Sequence, residues 1–244
     1  MKTLICAIGD VHGRLDLLEQ IYDLIAAHPA IEKAERRVLL HLGDYVDRGP
    51  NSKGVIDRVR KGLRGFESIS LMGNHEALML DFLDGKPDSE WWVEDGMGGA
   101  EALESFGIDP QSASRDLEAT KAKIGEEAIA WLRALKHSHT EGGYFFAHAG
   151  VRPGVPIAQQ SVDDLIWIRR EFTESDRDFG ARVVHGHSPS PKPEIKRNRI
   201  GIDTGAVWTG HLTAALIDPE RARDAPTILM TNGPTLDELS LAPR

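Results

Sequence analysis

Leu4-Ile5-Cys6-Ala7-Ile8-Gly9-Asp10-Val11-His12-Gly13 is the stretch from which the fold can be read. Its opening apolar run is too short for a buried helix and reads as a strand covered on both faces. Glycine then lets the chain turn sharply, and an acidic residue follows at the tip. Working outward, Leu15 to Ala27 carries apolar residues at Leu17, Leu18, Ile21, Leu24 and Ile25, which is helical spacing. The pattern then recurs. Val38 to Leu42 reads as a second strand ending in Gly43-Asp44, followed by a helix over Ser52 to Leu63. Ser68 to Met72 reads as a third, ending in Gly73-Asn74-His75-Glu76, with a helix running to about Leu83. Alternating strands and helices predict an α/β fold with a largely parallel sheet. In such sheets the C-terminal strand ends line the ligand crevice, so the three polar tips should face one place.

Residues 85–142 break the pattern. They contain Trp91-Trp92, the turn Gly96-Met97-Gly98-Gly99 and a charged helical segment from Leu117 to Leu135. This stretch reads as a helical insertion or cap within one domain spanning 1–244. The core resumes with the strand Tyr144 to Ala147, ending in His148-Ala149-Gly150, and with Ala181 to Val184, ending in His185-Gly186-His187. The tail reads as antiparallel, over Arg199 to Ile202, Leu212 to Ile217 and Thr227 to Met230.

The 244 residues are enough for one sizeable core. The formal net charge of −9 argues against a general nucleic-acid binder, and no apolar stretch is long enough to span a membrane. The basic stretch Lys192 to Arg199 reads as a solvated hairpin edge. With a single cysteine, Cys6, no internal disulfide can form. Its apolar setting marks it as a small core residue, and the expected location is the cytoplasm.

Five strand ends thus carry Asp10 and His12; Asp44; Asn74 and His75; His148; and His185 and His187. Taken singly, each has an ordinary explanation: an aspartate caps the next helix, and an asparagine favours a turn. Independent caps would not place carboxylates, imidazoles and one amide along a single sheet edge. An oxygen and imidazole set without thiolate suits hard to borderline divalent ions.

Gly9-Asp10-Val11-His12-Gly13, Gly43-Asp44-Tyr45-Val46-Asp47-Arg48-Gly49, Gly73-Asn74-His75-Glu76, His148-Ala149-Gly150 and Gly186-His187 resemble the five blocks of the calcineurin-like metallophosphoesterases. The Asp47-Arg48-Gly49 extension resembles the phosphoprotein phosphatase branch, which includes bacterial and phage Ser/Thr protein phosphatases and symmetrical diadenosine tetraphosphatases. Pro189 stands where many relatives outside that branch carry a further metal-binding histidine. The resemblance implies a four-layer α-β-β-α sandwich of two mixed sheets flanked by helices, with two divalent metal ions at one sheet edge. Manganese is the expected metal, with Fe, Zn, Ni or Co as alternatives. Asp10, His12 and Asp44 would hold one ion, and Asp44, Asn74, His148 and His187 the other.

The resemblance further implies hydrolysis of phosphate esters by hydroxide generated between the metals. His75 would serve the leaving group, oriented by Asp47. Arg48, Arg169 and Asn74 would bind the phosphate, with Arg170 a rival to Arg169. His185 is expected to be a strand residue supporting the site from behind. The main expectation is a bacterial-type serine/threonine protein phosphatase, or a dual-specificity form of one. The alternatives are a symmetrical dinucleoside polyphosphate hydrolase and a non-catalytic scaffold for phosphorylated partners. Partners are therefore phosphoproteins or small phosphate esters and anhydrides, with no membrane and no stable nucleic-acid binding. For the dinucleotide reading, Trp91, Trp92 and the glycine-rich turn would offer stacking surface; equally, the tryptophans read as core of the insertion, the commoner fate of large aromatics, and Asp95 stands where bacterial relatives carry Asn.

Overall fold

In the computed structural model, which describes residues 2–94 and 96–241, ten strands form two sheets. Met1, Asp95 and residues 242–244 lie outside the described residues. In chain order the strands are β1 (Thr3–Ile8), β2 (Arg36–His41), β3 (Glu67–Ser70), β4 (Ser138–Glu141), β5 (Tyr144–Ala147), β6 (Arg182–His185), β7 (Glu194–Ile195), β8 (Arg199–Gly201), β9 (Thr213–Ile217) and β10 (Thr227–Met230). The first sheet runs β10-β9-β1-β2-β3; β1, β2 and β3 are parallel, while β9 and β10 are added antiparallel. The second runs β4-β5-β6-β8-β7, with β5, β6 and β8 parallel between antiparallel edges. Both sheets are therefore mixed.

The alternation within β1 explains the layering. Leu4, Cys6 and Ile8 point into one core, which holds Leu17, Ile21 and Ile25 of the helix Leu15–Ala27 and Val55 and Val59 of the helix Ser52–Lys61. Ile5 and Ala7 point the other way, into a second core shared with Val38 and Leu40 of β2 and with Tyr144, Phe146, Val184 and Ile200 of the second sheet. That core is the seam between the sheets. Beyond it, Phe145 and Val183 pack under Leu165, Ile166 and Phe172, beside the helix Val162–Trp167. Helix, sheet, sheet, helix is the resulting order. Burial pushes the Cys6 thiol up to about 12, so it stays protonated and behaves as a small apolar residue.

Three details differ from the expectation. The helix after β2 stops at Lys61, because Gly62 takes φ 65° and ends it. The segment Leu117 to Leu135 is two helices, Leu117–Ile124 and Glu126–Arg133, broken at Gly125 with φ 96°. Residues Ser138–Glu141, placed by the sequence pattern inside the insertion, form β4, joined to β5 through the two-residue turn Gly142-Gly143. As a polar edge strand, β4 lacks the apolar alternation that marks a buried one. Trp92, Leu103, Ile124 and Leu132 join the same core as Leu17 and Val55. No helix among the described residues is long and apolar enough to cross a membrane.

Candidate active site

The turns after β1, β2, β3, β5 and β6 meet at one end of the two sheets. Backbone strain concentrates there. Of the six described non-glycine residues with positive φ, five belong to these turns: His12 (43°), Asp44 (52°), Asp47 (74°), Arg48 (67°) and His187 (62°). Each such residue stores roughly 1–3 kcal/mol and persists only where its surroundings hold it. Glycine fills the tightest approaches. A Cβ on Gly186 would collide with Asp10 Oδ1, and one on Gly73 with Asp44 Oδ1.

Three histidines are oriented alike. His12 Nδ1–H donates to the Val46 carbonyl (2.9 Å) and His148 Nδ1–H to the Leu42 carbonyl (3.0 Å). The His187 ring is held by the Trp167 backbone. The Nε2 atoms of His12 and His148 thereby turn toward Asp44. Asp44 Oδ2 lies 3.4 Å from His12 Nε2, and Oδ1 lies 3.3 Å from His148 Nε2. Asn74 Oδ1 is 3.0 Å from His148 Nε2. Asp10, after β1 of the first sheet, reaches across to the second, its Oδ2 accepting the His187 N–H at 2.9 Å.

Two groups of donors therefore adjoin and share Asp44. One is His12, Asp44 and His75; the other is Asp44, His148 and His187. Asp10 is among the converging donors of neither group; its contact is with His187 of the second, and His75 takes the third place in the first.

These donors fit bound cations. Asp10 Oδ1 and His187 Nε2 are buried and have no hydrogen-bond partner. Burial, then the carboxylates of Asp203 and Asp44, push Asp10 well above the usual carboxylate range. Burial also opposes charge on His148, but Asp44, Asp10 and Glu76 outweigh it and raise that imidazole to about 9. His187 is pushed down to about 2, first by burial and then by His148. Crowded carboxylates thus draw positive charge to the centre, and a metal ion meets the same Coulombic demand as a proton. Fixing Nδ1 on a carbonyl leaves Nε2 as a free lone pair, the arrangement typical of metal-binding histidine.

Next to the donors, His75 Nδ1–H donates to Asp47 Oδ2 at 2.6 Å, and the same oxygen accepts the Trp92 Nε1–H at 2.8 Å. Arg48 Nη2 donates to His75 Nε2 (2.9 Å) and Nη1 to His12 Nε2 (2.6 Å). Its guanidinium lies 5.1 Å from the ring centre of Trp208. Arg169 donates from Nη1 to the His187 carbonyl at 3.1 Å, which puts it on the rim of the site. Arg170, its rival, is exposed at the start of the short helix Arg170–Thr173 and has no such contact.

A model of the calcineurin-like phosphoesterase domain matches residues 3–213. The chain belongs to the calcineurin-like phosphoesterase family. As a member it is a phosphoric ester hydrolase, of a family built on a dinuclear metal centre. It is 26% identical over 230 residues to the asymmetrical bis(5'-nucleosyl)-tetraphosphatase PrpE of Halalkalibacterium halodurans, covering 85% of this chain and 87% of that one. It is 25% identical over 214 residues to serine/threonine-protein phosphatase 1 of Salmonella typhimurium, covering 86% and 90%. Among solved structures, one assigned provisionally as a diadenosine tetraphosphatase superposes with TM-score 0.65 at 21% identity, covering 95% and 97%.

Several residues of this phosphoesterase site escape the sequence reading. Glu76 is fully buried, and its carboxylate accepts the backbone N–H groups of Gly73 (3.0 Å), Asp44 (2.8 Å), Tyr45 (2.7 Å) and Val46 (3.2 Å). It clamps the second turn to the third, and so places Asp44 against Asn74. Its position directly after His75 was the available signal. Asp203, pushed up to about 6 mainly by burial, follows β8 and faces Asp10.

Of the two readings of Trp92, the core one holds: it is fully buried beneath Asp47 and offers no stacking surface. The glycine-rich turn serves the same loop, because the Gly98 carbonyl accepts the Arg48 N–H (3.1 Å) and a Cβ there would strike the Arg48 backbone. His185 points away from the donors: its Nδ1 bonds the Gly186 carbonyl (3.0 Å), its Nε2 lies 3.3 Å from Arg199, and burial holds it down to about 4.

Trp92→Phe keeps most of the packing and removes one donor to the Asp47 carboxylate. A lost hydrogen bond to a charged group is worth about 1.5–3 kcal/mol, so kcat is expected to fall about tenfold or more with KM little changed. Steady-state kinetics beside a thermal melt check this; an unaltered kcat would remove Trp92 from the support of Asp47.

Proposed function

We propose that this phosphoesterase hydrolyses dinucleoside polyphosphates, breaking a phosphoanhydride bond. The observation that carries the reading is a pair of exposed indoles flanking the donor set. Trp208, 51% exposed, lies beside Arg48, and Trp167, 38% exposed, meets the His187 ring edge-on at 6.3 Å. Flat aromatic surface on either side of a phosphate-binding centre suits two nucleobases joined by a polyphosphate. The PrpE relative and the structural neighbour support the same class, and this reverses the order in which the sequence ranked the substrates. The similarity to serine/threonine-protein phosphatase 1 keeps phosphoprotein hydrolysis as the second reading.

Asp10, His12 and Asp44 would hold one cation and Asp44, Asn74, His148 and His187 the other, a mixed oxygen and imidazole set that suits manganese, iron or zinc. When bound, such a pair supplies neutralisation of the phosphoryl oxygens and acidifies the attacking water. The chain's own groups do the rest. Arg48 and Arg169 approach from two sides with forked donors for non-bridging phosphate oxygens. Asn74 adds an amide. Asp47 fixes the His75 ring through Nδ1; Nε2, which accepts from Arg48 here, would carry a proton toward the departing oxygen once Arg48 turns to the phosphate.

Catalytic efficiencies with added manganese should favour diadenosine tetraphosphate over phosphoserine and phosphotyrosine peptides, with nitrophenyl phosphate as the reference. Base–aromatic stacking is worth roughly 1–3 kcal/mol, so Trp167→Ala or Trp208→Ala should raise KM for the dinucleotide about tenfold. Hydrolysis of nitrophenyl phosphate should change far less. Preference for the phosphoserine peptide, with KM indifferent to both tryptophans, would replace this reading by the second.

A further inference from the structure

Far from the donor set, at the other end of β6, lies a cavity of about 600 Å³ lined by Arg182, Lys196, Arg197 and Arg223, with Asp176 and Asp178 on its wall. An adjoining concavity of about 450 Å³ shares the same four basic residues. Arg182 opens β6 and His185 closes it, so the strand itself separates this pocket from the metal-binding turn by roughly 10 Å.

The charge there is unusual in a chain of net charge −9. Arg182 is 7% exposed, yet its guanidinium meets only neutral groups: the carbonyls of Lys196 (2.7 Å), Asp224 (2.7 Å) and Ala222 (3.2 Å) and the Tyr144 hydroxyl. Among the described residues, no carboxylate lies within ion-pair distance of Arg182, Arg197 or Arg223. Lys196 feels the Glu194 carboxylate, but that group is already bonded to Arg199 at 2.7 Å. On the wall, Asp178 is occupied by the Gly180 N–H. A buried cation without a counter-ion is costly, and the unpaired Arg197 and Arg223, with Lys196 beside them, raise the local potential further. An anion seated in the cavity would relieve both.

From this juxtaposition we infer that the cavity binds a small polyanion carrying phosphate groups, a condensed phosphate or a nucleotide, at a site separate from the metal centre. Its volume lies in the range of small-molecule sites, and its guanidinium groups match phosphate oxygens in geometry as well as charge. The concave shape favours a compact solute over an extended strand.

Imidodiphosphate, which resists hydrolysis, is the probe. Calorimetric titration into the full, manganese-loaded chain should show two binding events per chain. Inhibition of nitrophenyl phosphate hydrolysis reports the event at the metal centre. In the double variant Arg197→Glu with Arg223→Glu, the second event should weaken about tenfold or more, since hydrogen bonds to charged groups are worth about 1.5–3 kcal/mol each. The inhibition constant should stay as in the parent. Lys196→Ala, a milder exposed change, should weaken the same event and serves if the double variant folds poorly. Two unchanged events in these variants, or a single parental event that inhibition fully accounts for, would overturn the inference. So would a labelled RNA oligonucleotide that outcompetes imidodiphosphate at the Arg197 and Arg223 surface.

Discussion

His75→Asn is expected to lower turnover of a substrate with a poor leaving group by roughly 10²–10⁴, the usual contribution of a positioned proton donor. The bound metal should stay at its parental level. The geometry separates the two effects. His75 contributes its backbone N–H to Asp44 Oδ1 (3.1 Å), and asparagine keeps that bond. Asn74 and Glu76 on either side are untouched, so the clamp on the second turn survives. Lost are the Nδ1 bond to Asp47 and the Nε2 atom beside Arg48. A nitrophenolate departs without needing a proton, so nitrophenyl phosphate should suffer a much smaller loss than a dinucleotide or an alkyl phosphate. Metal analysis and paired kcat measurements on the two substrate types check the prediction. An equal loss on both, or a loss of metal, would move His75 from proton transfer to metal binding, the role its place beside His12 and Asp44 also permits.

Local pattern carried much of this site because its parts lie at strand ends. A short apolar run before Gly-Asp announces both a buried strand and the tip that follows it, and Asp10, Asp44 and Asn74 were legible for that reason. His148 and His187 were legible the same way, one after β5 and the other just past β6. Long-range packing was not. Trp92 looks in sequence like any aromatic of a helical segment, and only the folded chain brings it 2.8 Å from Asp47. Trp167 and Trp208 lie 41 positions apart, and neither has a periodic neighbourhood that would mark it as exposed. β4 was missed because an edge strand need not alternate. The strain at His12, Asp44, Asp47, Arg48 and His187 follows the same logic: local preference disfavours positive φ at each, and tertiary contacts impose it where chemistry needs the side chain turned inward.

Asp44→Asn is expected to remove metal from both positions and to reduce turnover by roughly 10³-fold or more, since Lewis-acid stabilisation is worth several kcal/mol. Each Asp44 oxygen faces a different histidine, at 3.4 Å and 3.3 Å, so one side chain serves both donor groups. His148, His75 and His12 together overcome burial and hold its carboxyl well below the usual range, which keeps it ionised. Asparagine is neutral and turns one of those oxygens into a donor, which would point an N–H₂ at an imidazole that should present a lone pair. The loop itself should stay in place, because Glu76 grips the backbone N–H groups of residues 44–46 rather than the Asp44 side chain. A melt in chelator should therefore match that of the parent protein, while metal analysis after dialysis shows less than one ion per chain. Excess manganese should restore part of the rate by mass action. A variant that kept two ions per chain would show that Asp44 does not join the two groups, and the shared-carboxylate arrangement would have to be abandoned.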